Sequence, residues 1–392
     1  MTTLPTEPVA ARPYYAAAFL MDVSLSLTVM AFPWIATRQY HASPELVGDL
    51  SALMTGLYTL VALSAGVLSR KLTPRTRMLG AACGVFISYG AAAASHSLAQ
   101  LAAALCISWL IMGFYWPALQ AQLCAGCPAE EIQRRLTRFN LSWSTGILTG
   151  PAIAGYLYAR APSLPLAAAF VGVGAVAATV ALGSRRAGAA ALAAGEAEIT
   201  AGPIIRTSAL ILAAAWCGHF ASYFSLAIVR TFFPIYATHR GIPFRTQGYM
   251  MLELGMFQAG AFFAMNYARR WLTRPAAFFG GLTLVIGGML LLTRPSVPLE
   301  VIALAVVGTG VGVTYVLSIF HSLHSDNGSR NAGIHEGIVG GSGVFGGIAG
   351  GFTAKHYGLS TPFYLSAAAA LFFMLPVALF LVRARTSSCG KQ

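Results

Sequence analysis

The sequence predicts an all-α membrane protein in which twelve transmembrane helices form two pseudo-symmetric six-helix bundles. Three observations carry that expectation. First, 57% of the 392 residues are hydrophobic and only 9% are charged, against about 25% charged in a soluble globular domain. Second, the apolar residues gather into runs of membrane-spanning length, and twelve spans at roughly 20 residues each need about 240 residues. Third, short motifs recur at an offset of about half the chain.

The spans are placed near residues 13–37, 46–69, 77–96, 98–123, 138–159 and 165–183, then 207–235, 247–268, 275–293, 299–321, 332–354 and 361–382. Pro and Gly inside them are compatible with bundled membrane helices. These runs define an N-terminal bundle over 1–184, a cytoplasmic linker over 185–206 and a C-terminal bundle over 207–392. The start, MTTLPTEPVAARPYY, has one Arg before the first apolar run and no convincing cleavage site, so it reads as leading into a retained span.

Net charge is +13, yet the basic residues sit in short runs between apolar segments rather than on one folded face, which argues against nucleic acid. Arg70-Lys71, Arg75, Arg77, Arg134-Arg135, Arg185-Arg186, Arg269-Arg270, Arg383 and Arg385 all fall on one side of an even-numbered topology. By the positive-inside rule that side is the cytoplasm, and both termini lie there. The six cysteines lie mostly in or beside apolar segments, so no disulfide framework is expected. Cys124 and Cys127 have CxxC spacing without a second pair.

The internal repeat pairs RKLTPR (Arg70 to Arg75) with RRWLTRP (Arg269 to Pro275), and GPAIAG (Gly150 to Gly155) with GGIAGG (Gly346 to Gly351). Both offsets are a little under two hundred residues. Two halves of this kind suit secondary transporters that rock about a midplane site.

GVLSRKLTPRTR (Gly66 to Arg77) resembles the signature between spans two and three of the major facilitator superfamily. GILTGPAIAG (Gly146 to Gly155) is similar to the fifth-span glycine-proline signature of its proton-driven exporters. The resemblance runs from Pro13 to Arg385. It implies gating roles for Arg70, Lys71, Gly150 and Pro151, and a central path lined by spans one, four, seven and ten. Two positions depart from the family pattern: its acidic residue would fall at Arg70, and its fourth-span arginine near Trp109 in SWLIMG.

A charge in hydrocarbon costs about 2.5–3.5 kcal/mol on insertion scales, so an intramembrane carboxylate needs a partner, a cavity or a proton. Asp22, Glu253 and Glu336 stand out on that ground as proton-coupling candidates. Asp22 shares a helix face with Tyr15 and Ser26; the alternative for it is a structural hydrogen bond to a neighbouring helix. His219, Tyr223 and Arg230 form a polar stripe on span seven, within about 40° of one another on a helical wheel, and are expected to bind substrate. Snorkelling to headgroups is the competing reading for Arg230, and hydrogen-bonded packing for His219. Glu253 lies at a depth comparable to Arg230, and an ion pair between them is expected. His335 and Glu336 open span eleven, His335 as a gating candidate; dipole stabilisation at a helix start is the other account of Glu336. Trp109 and Trp116 share a face of span four and suit an aromatic or amphiphilic solute, or helix packing.

The expected function is a secondary active transporter working by alternating access, with proton-coupled export of a small organic or amphiphilic molecule. The alternatives are proton-coupled uptake of a sugar, nucleoside or organic acid, and a membrane sensor or scaffold that kept the fold. No enzyme chemistry, cofactor, metal or nucleic acid is expected. The expected partners are a small-molecule substrate, protons and the lipid of the inner membrane, with the chain acting as a monomer.

Overall fold

The computed structural model describes residues 11–68, 72–124, 127, 129–182 and 207–389. Twelve long helices fill these residues: α1 (Arg12–Arg38), α2 (Pro44–Leu68), α3 (Pro74–Ala93), α4 (Leu98–Cys124), α5 (Ala129–Tyr158) and α6 (Leu164–Leu182), then α7 (Ala209–His239), α8 (Phe244–Tyr267), α9 (Pro275–Leu292), α10 (Val297–Leu323), α11 (Gly328–Tyr357) and α12 (Thr361–Cys389). In lipid every backbone amide and carbonyl must be bonded within its own segment, which is why spans of this composition become helices. Among the described residues, nine helices are long and apolar enough to cross a membrane by composition alone. The others, α3, α5 and α8, carry more polar residues. In α5 the basic stretch from Glu131 to Arg138 continues the helix ahead of the expected span. The gating candidates Arg70 and Lys71, and the linker 185–206, lie outside the described residues.

The chain divides into two compact units. One comprises Met1–Phe32 with Leu57–Ala197, and the other Pro33–Gly56 with Glu198–Gln392. Within the first, α3 packs on α4 and α6; within the second, α9 packs in the same way on α10 and α12. The halves therefore repeat helix packing as well as sequence.

Close approach of fifth to first helix is the clearest shared device. A β-carbon on Gly150 of α5 would meet the Val23 carbonyl at 3.2 Å, with the Ser26 β-carbon closer still. A β-carbon on Gly346 of α11 would meet the Phe224 carbonyl at 3.0 Å and the Ala227 β-carbon at 2.9 Å. Val23 and Ser26 precede Phe224 and Ala227 by 201 residues. The same offset relates a further repeat, Phe32-Pro33-Trp34-Ile35-Ala36-Thr37 and Phe233-Pro234-Ile235-Tyr236-Ala237-Thr238. In both copies the threonine hydroxyl donates to the proline carbonyl one turn earlier, at 2.7 Å, a local bond within a helix whose ladder proline interrupts.

In the second unit, the Pro33–Gly56 segment is held by polar and backbone contacts. The fully buried Trp34 donates its Nε1–H to Gln247 Oε1 at 2.8 Å. Gln247 in turn donates to the Ile242 carbonyl at 2.8 Å and the Thr238 hydroxyl at 3.1 Å. Glu45 pairs with Lys355. A β-carbon on Gly347 would lie 2.6 Å from the Gly48 carbonyl, so α2 and α11 touch backbone to backbone. Gln247→Leu orphans the Trp34 N–H in a buried site, and a loss of about 1–3 kcal/mol is expected. The check is thermal unfolding, in which adding Trp34→Phe to Gln247→Leu restores part of the loss; no recovery in that pair contradicts a direct bond.

Candidate functional site

In the second unit, α7, α10 and α11 bring polar groups together where the expected stripe begins. His219 and His335 are fully buried and stack face to face, with ring centroids 4.4 Å apart and planes 9° from parallel. His335 Nδ1 shares a hydrogen bond of 2.8 Å with the Ser318 hydroxyl of α10. Among the described residues, both nitrogens of His219 and Nε2 of His335 are buried without a hydrogen-bond partner. Tyr223 lies 4.4 Å from His219 between ring centres. Tyr315 of α10 completes the ring cluster, 4.9 Å from His335 and 5.8 Å from Tyr223. The Tyr223 hydroxyl accepts from Gln258 Nε2 of α8 at 3.5 Å. Ser222 and Thr314 tie α7 to α10 at 2.6 Å.

Glu336, next to His335, keeps an exposed side chain. Arg230 is half-buried further along α7, and both it and Glu336 bear electrostatically on the Tyr223 hydroxyl. The stripe of span seven therefore divides: His219 and Tyr223 enter the ring cluster, while Arg230 stands about 10 Å beyond Tyr223 by helical rise.

The expected pair of Glu253 with Arg230 does not form. Glu253 is half-buried and makes no ion pair or hydrogen bond among the described residues. The cause is helix packing. α8 runs along α10, where β-carbons on Gly308 and Gly312 would fall against the Leu254 and Gln258 backbones, and it meets α7 only sparsely. The ion pair that does join α7 to another helix is Arg240 with Glu300 of α10, the carboxylate fully buried and the guanidinium 22% exposed. Arg240 also donates to the Tyr236 hydroxyl at 3.4 Å. Glu300, in the first turn of its span, is not among the carboxylates singled out from the sequence; Tyr315, Gln258 and Ser318 each fall singly in an apolar run and carry no sequence signal.

In the first unit, Asp22 is 4% exposed. A β-carbon on Gly146 would lie 2.9 Å from the Asp22 β-carbon, so the carboxylate-bearing stretch of α1 is covered by α5. Ser26 Oγ and the Tyr15 hydroxyl are buried without hydrogen-bond partners among the described residues. Under the 201-residue offset Asp22 corresponds to Tyr223, so the two units hold different chemistry at matching places. Trp109 packs edge-on against Tyr58 at 6.0 Å, and Trp116 against Tyr115 and Phe139 at 5.1 and 6.1 Å. Both tryptophans are half-buried in aromatic packing. Pro151 follows the close-packed Gly150 inside α5.

Ahead of the expected fifth span, Arg135 donates to the Leu123 carbonyl at 3.0 Å and so caps the end of α4. It also pairs with Glu131 at 3.1 Å. That hydrogen bond holds the Glu131 carboxyl below the usual carboxylate range.

A sequence profile described as Major Facilitator Superfamily matches residues 14–332. No curated protein matches the chain. Among solved structures it is similar to the nucleoside transporter NupG, with 11% identity and a TM-score of 0.72 over 95% of this chain and 98% of that one. A bacterial homolog of the human lysosomal transporter Spinster, inward-facing and occupied, gives 11% identity and a TM-score of 0.72 over 96% of both chains. At such identities the likeness is one of fold. The profile spans most of the sequence, and twelve helices with internally repeated packing agree with it: the chain belongs to the Major Facilitator Superfamily of multi-pass membrane transporters.

Proposed function

We propose that the protein is a proton-coupled exporter of a small organic or amphiphilic molecule, working by alternating access with Asp22 as its principal proton carrier. The observation that carries this reading is a carboxylate almost wholly buried within the first membrane helix, a placement that membrane proteins keep for relays and pathways. Glu336, next to a fully buried histidine, is the second carrier, and Glu253 the third. Tyr15, Ser26, Trp109, Trp116, His219, Tyr223 and Arg230 are the substrate-binding candidates, and Gly150, Pro151 and His335 the candidates for gating. The direction of transport rests on the fifth-span signature. The membrane is the cytoplasmic one, with both termini inside, as the distribution of arginines supports.

The test is proton flux in proteoliposomes against a panel of aromatic and amphiphilic solutes. Asp22→Asn is expected to lower coupled flux roughly 10²-fold, the lower end of what a positioned proton-transfer group contributes, while leaving the folded fraction intact. Unchanged flux in that variant removes Asp22 from the mechanism. Accumulation only in right-side-out vesicles replaces export by proton-coupled uptake. The departures at Arg70 and Trp109 favour one further reading, a sensor or scaffold without transport; it would show as solute binding or stabilisation with no proton flux from any member of the panel.

A further inference from the structure

The second half contains a polar device that the fold itself does not require. Its members are His219, His335 and Ser318, all fully buried. The internal repeat says what the same places hold in the first half. The 201-residue offset of α1 and α7 sets Ala18 against His219. The offset of the Gly150 and Gly346 motifs sets Phe139 against His335. The starts of α4 and α10 set Leu119 against Ser318. Ala18, Phe139 and Leu119 are all buried and apolar. Those positions are thus filled without a polar side chain, and burying an unpaired imidazole nitrogen is unfavourable. The histidines do something that packing alone does not.

We propose that the stacked His219 and His335 rings together take up a single proton, held on a ring nitrogen of one of them, and that this site belongs to the second half alone. Both rings are fully buried, and a proton needs only a lone pair. Full burial disfavours a charged ring, and the aromatic faces around a single imidazolium work the other way. On His219 it lies against the Tyr223 ring at 4.4 Å and the Tyr315 ring at 5.7 Å, where aromatic faces attract a cation. A second proton is excluded, because two cationic rings 4.4 Å apart and parallel repel one another. The groups facing the stack are few. α7 supplies Tyr223 and, acting electrostatically on its hydroxyl, Arg230; α10 supplies Tyr315 with Ser318. α11 supplies Glu336, which acts electrostatically on both tyrosine hydroxyls. α8 reaches the cluster through the neutral Gln258. α12 meets α7 here through Phe220 and Phe373. The only carboxylate among them is Glu336. Charging the stack loads the contact of α7 with α10 and α11, so the proton changes how those helices hold together. The site rests on no assumption about cargo or direction.

The test uses the full-length protein in detergent with histidine rings labelled with ¹⁵N. Between pH 8 and pH 5 the His219 and His335 signals, assigned with His219→Phe and His335→Gln, are expected to move together and to gain one proton in total. Two separate protonations overturn the proposal, and so does silence at both rings across that range. A second measurement copies the first half into the second through His219→Ala with His335→Phe. Wild type is expected to lose roughly 2–4 °C of melting temperature on acidification, the scale of a 1 kcal/mol change in a large domain, and the copied variant to lose none. An equal acid response in both proteins also overturns it. If the variant does not fold, the ring titration of the wild type decides. Asp22→Asn should leave the ring titration untouched, so failure of the Asp22 assignment and failure of this site are told apart.

Discussion

Gly150→Val is expected to cost about 3 kcal/mol, the upper end for overpacking a filled interior. The first atom added has nowhere to go. Ser26 of α1 occupies the place of the new β-carbon, and the Val23 carbonyl stands 3.2 Å away. Backbone and a β-carbon cannot rotate aside as a long side chain can, so α5 must move off α1. The measurement is the melting temperature and monodisperse fraction of the solubilised protein. Gly150→Ala should show a smaller loss, relieved in part by Ser26→Gly. Gly346→Val should repeat the effect in the second half, where Ala227 and Phe224 stand in the same relation. Gly341→Ala is the control, because nothing lies within 4 Å of its β-carbon and alanine favours helix. Equal stability of Gly150→Val and Gly341→Ala would show that the seam is looser than described.

Arg240→Ala is expected to be comparably damaging, at about 3–5 kcal/mol, because it strands a buried carboxylate. Glu300 is wholly buried, while its partner is 22% exposed. The stranded group therefore has no water to replace the guanidinium. The value of the pair as such is a separate quantity, since desolvation offsets much of the Coulomb attraction. The double variant Arg240→Met with Glu300→Leu separates the two and should recover most of the lost stability. A double variant as unstable as Arg240→Ala would mean that the helix end depends on Arg240 for its other contact, the Tyr236 hydroxyl.

Both positions show where reading the chain succeeds and where it stops. Gly150 was visible as half of a repeated glycine motif, and its packing against α1 matches that of Gly346 against α7. The Phe-Pro-x-x-Ala-Thr repeat is equally visible in the sequence, near the ends of the first and seventh spans. Glu300 stands in the first turn of its span, and nothing in the sequence marks it as the buried partner of Arg240. Depth along a helix is legible from a sequence; which neighbour stands at that depth is not. The same limit explains the missing pair of Glu253 with Arg230. Their expected depths agree, yet α8 packs on α10.

Composition and periodicity were enough for the helices, their number and the duplication, because lipid leaves a backbone few alternatives and a twenty-residue apolar run has one way to satisfy itself. The arginine-rich connections and the glycine motifs were likewise a property of the chain. Partnership between side chains was decided in three dimensions. Whether His219 would meet His335, Asp22 lie under Gly146, or Trp34 find Gln247 depends on helix rotation and crossing. Those are set by the summed fit of many small contacts. No single residue carries that sum, so it cannot be read one residue at a time.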